Sequence, residues 1–380
     1  MSPSSTALVV EAIRDARAAG RALRIVGGGR WLDAGAPCDA ESRLELGGLA
    51  GIVEYEPGDL TLTARAGTTL ESIDRATEAH GQWLPLDPMG PRSGTLGATL
   101  ATASYGPLAA AFGTPRNQVL GCELVTGAGD VVRAGGRVVK NVAGFDITRL
   151  MIGAWGTLGA LTEVTLRVRA RPEADATVAI ALGGAASLEH ACRWLQTSEY
   201  APLAAELLTP ALAGRLGIPA SNAPVLLLRI GGNAAYLRGA LHAVAMLGDV
   251  APVPNEVWAA LATSESSADA SLRVSAKPAR FTTLWPAARE VVERAGGVAH
   301  ANVRRGVVRC IMPIDVPGPV GLFAALPSCT LITERGPAWW WATRGLGEPA
   351  IALSAGVQRA FDPDEILNPG IMGAFRTVAA

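Results

Sequence analysis

Charge is scarce in this 380-residue chain: 18% of its residues are charged, and 33 basic against 34 acidic side chains leave a net charge of −1. A nucleic-acid-binding surface needs a basic surplus, and none is present. Long apolar runs are missing as well. No stretch reaches the ~20 unbroken apolar residues of a membrane helix. The opening MSPSSTALVVEAIRDARAAG lacks the basic leader and apolar core of a signal peptide. The reading is a soluble protein. Five cysteines (Cys38, Cys122, Cys192, Cys310, Cys329) are far apart, odd in number and form no Cys-x-x-Cys pair. That pattern excludes an iron–sulfur cluster or Cys-type zinc site of the chain's own and suits a reducing cytoplasm. Lysine is nearly absent: Lys140 and Lys277 stand against 31 arginines, an imbalance that reflects genome composition in so alanine-rich a chain. Disorder is excluded by what is abundant, because 49% hydrophobic residues can bury enough surface to offset the ordering entropy.

Apolar positions at helical spacing over 7–19 end at Gly20. A short strand, Leu23-Arg24-Ile25-Val26, runs directly into Gly27-Gly28-Gly29. Strands at 52–56 and 60–65 flank the turn Pro57-Gly58-Asp59, and Thr68-Thr69-Leu70-Glu71 reads as a capping box opening a helix. A strand-like QWLPL leads to GTLGATLATASYG. A hairpin is predicted around 127–130, and a long β-branched strand runs from 160 to 169. This order lacks the βαβ rhythm, so the fold class is α+β. Three segments follow: a larger domain over 1–170, a smaller α+β domain over 171–340, and a turn-rich tail over 341–380 whose FDPDEILNPGIM is apolar enough to dock. Helices at 186–197, 234–247 and 285–295 and strands at 225–230 and 305–312 are expected in the second.

The glycine clusters match neither common nucleotide fingerprint. Gly27-Gly28-Gly29-Arg30-Trp31-Leu32 lacks the third glycine of a Rossmann turn, and no Gly-Lys-Ser/Thr exists. Their order is informative: strand–Gly-Gly-Gly loop, Ala66-Gly67-Thr68, Gly94-Thr95-Leu96-Gly97-Ala98-Thr99, then KNVAGFDITRLMIGAWGTLGALTEVTLRV over 140–168. This series resembles the PCMH-type FAD-binding domain of the vanillyl-alcohol oxidase superfamily. The 136–166 block is similar to glycolate oxidase FAD-binding subunits. The resemblance covers 1–170, resumes at 361–372 and is weak between.

That resemblance implies a PCMH-type domain of two α+β subdomains, with a smaller α+β cap, and FAD as cofactor. Val26, Gly27, Gly28, Gly29, Arg30 and Trp31 would form the pyrophosphate loop, and a bulky residue such as valine at Gly28 would block close backbone approach to the pyrophosphate. Pro88, Gly94, Thr95, Gly97 and Ala98 would follow the flavin and ribityl chain near a helix N-terminus. Gly153, Gly156, Thr157, Gly159 and Leu161 would pack on the adenine side, and Asn368 would belong to the closing turn. Many superfamily members tether flavin through a histidine in the first loop. Here no histidine precedes His80, so non-covalent FAD is expected.

For the chemistry, the resemblance implies hydride transfer from a 2-hydroxy acid such as glycolate or D-lactate. Electrons would pass to a complex with a larger FAD-linked subunit and an iron–sulfur subunit. The location would be cytoplasmic, with membrane attachment only through partners. Of four histidines, His80, His190 and His242 read as surface or packing residues. His300 precedes an arginine-bearing strand similar to the family's cap motif and is the candidate general base. The second histidine of that motif is missing, so no metal site is expected. Arg309, with Arg304 and Arg305, is a candidate for a substrate carboxylate or else a solvent-facing strand residue. Lys140, beside the flavin-side loop, either offsets flavin charge or forms a surface ion pair. Trp339-Trp340-Trp341, read as extended, would place 339 and 341 on one face, for core packing or a subunit contact. Two alternatives stay open: a non-catalytic FAD-binding electron-relay or assembly subunit, and a self-sufficient oxidase.

Overall fold

The computed structural model describes residues 1–136, 146–219, 222–318, 326, 329–343, 345–346, 348–373 and 376–377. Two compact units emerge. One comprises Met1–Tyr105, Gly113–Arg171 and Trp341–Ala380; the other comprises Gly106–Phe112 and Pro172–Trp340. The fold is α+β in both.

In the first unit, helix Thr6–Ala18 starts at Ser5, whose side-chain oxygen accepts the Leu8 N–H. Its apolar face (Val9, Ala12, Ile13, Ala16) is buried with Leu23, Leu44 and Leu49. Strand Leu23–Val26 pairs in parallel with Ser42–Glu45. The tail lies along its other side: the Leu23 N–H donates to Ile366 O at 2.7 Å, and the Asn368 N–H donates to Leu23 O at 2.9 Å. An antiparallel five-stranded sheet follows, in the order Ile52–Glu56, Thr61–Arg65, Ala160–Arg167, Val119–Val125, Val131–Gly135. Leu62, Ala64, Val164 and Leu166 form its buried rows beneath helix Leu70–Glu78.

Two local expectations shift. The helix at 70 is capped by Thr69, which accepts the Ser72 N–H, while Thr68 instead hydrogen-bonds both backbone groups of Gly51. Glu71 pairs with Arg75 and closes no capping box. Of QWLPL only Gln82–Trp83 is a strand.

The second unit is built on an eight-stranded antiparallel sheet. Its order is Val250–Val253, Ala174–Ala181, Val225–Gly232, Ala204–Leu208, Val298–Asn302, Val307–Pro313, Asp269–Ser275, Thr330–Arg335. Every residue of Val298–Asn302 is buried, so this central strand is covered on both faces. Helices Ala185–Thr197, Ala234–Val244 and Phe281–Arg294 flank the sheet. Arg305, expected to open the strand, lies with Arg304 in a 3₁₀ turn that Gly306 ends at φ +64°, and the strand begins only at Val307. The tryptophan triplet is not extended either. It sits in the 3₁₀ segment Ala338–Thr343, where Trp340 and Trp341 are buried and Trp339 is half exposed. The three-residue turn, not the two-residue strand period, sets which indoles point inward.

Candidate functional site

The first unit holds a cleft that opens to solvent and encloses, open solvent included, about 830 Å³ of empty space. One wall is Leu23–Val26 and its following loop through Leu32; another is the short helix Leu96–Ala101; the third is the 151–161 segment. Among the described lining residues are two arginines, Arg24 and Arg30, and no carboxylate. The Arg24 guanidinium donates to the carbonyls of Leu32 (3.2 Å) and Ala34 (3.4 Å), fastening the loop.

The loop lies hard against the helix. A Cβ on Gly27 would stand 2.3 Å from Thr95 Oγ1 and 3.1 Å from the Ala98 Cβ. Thr95 is held in place as the helix N-cap, its hydroxyl accepting the Ala98 N–H. Only glycine permits this approach, which leaves bare backbone facing the cleft. An anionic diphosphate with apolar rings fits such a lining: cationic, glycine-walled at one end, and apolar at Met151, Ala154, Trp155 and Leu161.

Of the residues expected to hold cofactor, Val26, Gly27, Gly29, Arg30, Trp31, Thr95, Gly97, Ala98, Gly156, Gly159, Leu161 and Asn368 line this cleft. Gly28, Pro88, Gly94, Gly153 and Thr157 are not among its described lining. Gly94 instead supports local turns, donating to Pro91 O and accepting from the Leu70 N–H. The Thr157 hydroxyl donates to Ala154 O at 2.7 Å. Lys140 lies outside the described residues. Sequence reading missed Arg24, Ala66, Thr102, Met151, Trp155 and Ile371; Arg24 alone carried a signal, as the one charge in an apolar strand.

The second unit gathers ionic side chains at the centre of its sheet. His300 is opposite Arg309 in register, and Arg309 opposite Arg273. His300 Nδ1 lies 2.7 Å from Glu206 Oε2, while Nε2 is buried with no hydrogen-bond partner among the described residues. Arg309, 4% exposed, donates to the carboxylates of Glu265 and Glu334. Arg273 pairs with Glu334 at 2.6 Å, and Arg335 donates to Glu265 at 3.4 Å. Burial alone would push the Glu265 carboxyl up, but Arg309, then Arg335 and His300, bring it below its ordinary value. Burial likewise disfavours the Arg309 charge, and Glu265 and Glu334 more than reverse that. Arg309 is therefore neither solvent-facing nor free for a substrate carboxylate. Among the described residues no group of three or more His, Cys, Asp or Glu side chains is placed to hold a metal. His80, His190 and His242 are exposed.

Residues 1–135 match the family model described as FAD binding domain. Over 128 residues (33% of this chain, 36% of the relative) the chain is 47% identical to glycolate oxidase subunit GlcE of Escherichia coli. Over 183 residues (47% and 39%) it is 31% identical to glycolate oxidase subunit GlcD of Bacillus subtilis. Over 115 residues (30% and 20%) it is 39% identical to the mitochondrial cytochrome D-lactate dehydrogenase of Arabidopsis thaliana. The chain thus spans between 20% and 39% of the length of these relatives. A solved alkyldihydroxyacetonephosphate synthase aligns over 97% of this chain and 76% of that one, with a TM-score of 0.70 at 17% identity, a likeness of fold. FAD is the cofactor these findings assign to the chain.

Proposed function

We propose that this chain, which carries an FAD-binding domain of the glycolate oxidase-like superfamily, is the FAD-binding subunit of a 2-hydroxy-acid dehydrogenase complex. The observation that supports this most is the cationic cleft whose Gly27–Gly29 loop and Leu96–Ala101 helix lie in the part of the chain that matches the FAD-binding family. FAD, when bound, supplies a hydride acceptor for a substrate such as glycolate or D-lactate. Gly27, Gly29 and Arg30 present backbone and charge to the cofactor's diphosphate, without covalent attachment. Met151, Ala154, Trp155 and Leu161 exclude water from its ring systems. Electrons leave to a larger FAD-linked subunit and an iron–sulfur subunit. No helix among the described residues is long and apolar enough to cross a membrane, and a cytoplasmic site of action is part of the proposal.

In this reading His300 takes the hydroxyl proton. Its Nδ1–H donated to Glu206 leaves the Nε2 lone pair as the base. A second reading, an electron-relay or assembly subunit, is favoured by one observation: Arg309 is fully engaged by Glu265 and Glu334, and Nε2 is enclosed. Anaerobic mixing of the purified, FAD-loaded chain with glycolate or D-lactate decides between them. Bleaching of the flavin in the isolated chain supports the dehydrogenase. An unbleached chain that still takes up electrons within the reconstituted complex supports the relay.

A further inference from the structure

We infer that Asn368 is a positioning residue that latches the two walls of the FAD cleft together. The inference goes beyond the hydroxy-acid reading and rests only on FAD occupying this cleft.

Asn368 is 2% exposed and sits at φ +45°, a left-handed conformation that asparagine tolerates better than most residues. Its side-chain oxygen accepts the Ile25 N–H at 2.6 Å, and its Nδ2 donates to Trp155 O at 2.6 Å. Its own N–H donates to Leu23 O. Ile25 belongs to the strand that feeds the Gly27–Gly29 loop; Trp155 belongs to the opposite wall; both line the cleft. One carboxamide therefore bridges the strand to the wall that faces it. The orientation of the amide is fixed by its neighbours, since a flipped group would put donor against donor and acceptor against acceptor.

The surroundings are shaped to this amide. Trp155 holds φ +53°, and its N–H donates to Ala101 O at the end of the helix that forms the remaining wall. A Cβ on Gly156, at φ +73°, would come within 2.7 Å of Asn368 Nδ2, so glycine there clears the space the latch occupies. The tail continues the same contact: Ile371 O accepts the Ala36 N–H at 2.8 Å beyond the end of the loop. Asn368 thus acts on cofactor through Ile25 and Trp155, and the loss of its amide leaves a buried donor and a buried acceptor without partners at the cleft itself.

The test uses the full chain, stripped of FAD and reloaded, with FAD affinity read by flavin fluorescence. Asn368→Ala removes both bonds. Asn368→Asp keeps the acceptor for Ile25 but sets an oxygen against the Trp155 carbonyl. Ile13→Ala, in the same core but away from the cleft, matches the general destabilisation. The expected result is a Kd raised ~10–100-fold in both Asn368 variants and within about threefold of the parent in Ile13→Ala. Hydrogen exchange of the apo chain gives the second readout. Peptides covering 23–31 and 151–159 should lose protection together in the Asn368 variants only. Equal FAD affinity in Asn368→Ala and Ile13→Ala, or parental affinity in Asn368→Asp, overturns the inference. If either Asn368 variant proves too unstable to load, separate rather than joint deprotection of the two peptides in the other overturns it as well.

Discussion

His300 Nδ1 and Glu206 Oε2 meet at 2.7 Å across neighbouring strands, between two side chains that are each more than nine-tenths buried. A carboxylate holding one imidazole nitrogen selects the tautomer in which the other is an acceptor, the arrangement by which a histidine is oriented as a base. It is also a stable way to satisfy a core histidine, so function has to be read from kinetics.

His300→Ala separates the two roles. In the proposed dehydrogenase, anaerobic reduction by one 2-hydroxy acid in a rapid-mixing instrument slows by ~10²–10⁴-fold while FAD stays bound. Identical rates in variant and parent, with and without partner subunits, retire His300 as base and leave the relay reading.

Gly27→Val should abolish FAD retention. Its Cβ collides with Thr95 Oγ1, which cannot swing aside without uncapping the helix at Leu96. Gly28→Ala should keep FAD, because the same atom at 28 comes no closer than 3.4 Å to Thr95 Cγ2. The flavin absorbance-to-protein ratio after gel filtration reads both. The sequence alone singled out Gly28; the close approach lies one residue earlier.

Acid precipitation should release the flavin into the supernatant, since the loop over 26–31 contains arginine and tryptophan but no histidine to form a covalent link. Flavin fluorescence travelling with the denatured chain on a gel would contradict this.

Arg309→Leu should destabilise the fold near neutral pH by up to about 3–5 kcal/mol, because it removes the buried cation shared by Glu265 and Glu334 and leaves them only Arg335 and Arg273. The sign with pH follows from Glu265. In the parent its folded pKa is lowered, so its contribution is complete above the unfolded value of about 4.3 and is lost as pH falls through the folded one. Without Arg309 the largest influence opposing burial is gone, with Arg335 and His300 left, so the Glu265 pKa rises relative to the parent and the variant's deficit should shrink as pH falls from 7 towards 4. Urea midpoints across that range read the trend. A deficit that grows on acidification excludes the buried-charge account.

Thiol labelling should follow burial. Burial pushes Cys122 and Cys192 up to about 11 and raises Cys310 further, leaving almost no thiolate at pH 8. A disulfide reagent should therefore consume the half-buried Cys38 and Cys329 in the native chain, and all five thiols after denaturation. Rapid native labelling of Cys310 would show that the second unit's central sheet opens.

What the sequence disclosed was local. Leu23–Val26 could be read because an apolar stretch runs into three glycines, and Thr95, Gly97 and Ala98 because the glycine-rich run over 94–99 belongs to the series that resembles a PCMH-type FAD-binding domain. The hairpin at 126–130 declared itself through Gly127 and Gly129. What stayed hidden depends on partners distant in the chain. Nothing near His300 points to Glu206, or near Arg309 to Glu265 and Glu334, so one residue looked available and the other looked exposed. Trp155 and Met151 gave no signal of their own, since an apolar wall facing a cofactor has the same composition as one facing protein. The tryptophan triplet misled through propensity: aromatics favour strands, but the hydrogen bond from Trp340 N–H to Pro337 O closes a turn.

The hydrogen bond from Ile25 to Asn368 joins positions 343 residues apart, and this gives cofactor acquisition a place in time. At ~5–20 residues per second, a ribosome makes residue 368 roughly 20–70 s after residue 25. Through that interval the strand, the glycine loop and the helix at Leu96 already exist, yet the strand and the wall facing it have nothing to join them. A nascent or clipped chain ending before 368 lacks that latch and, on the inference above, should hold FAD at least ~10–100-fold more weakly. Tight flavin uptake should then wait until synthesis has reached the tail, and a preparation clipped before Asn368 should lose its yellow colour on dilution sooner than the intact chain.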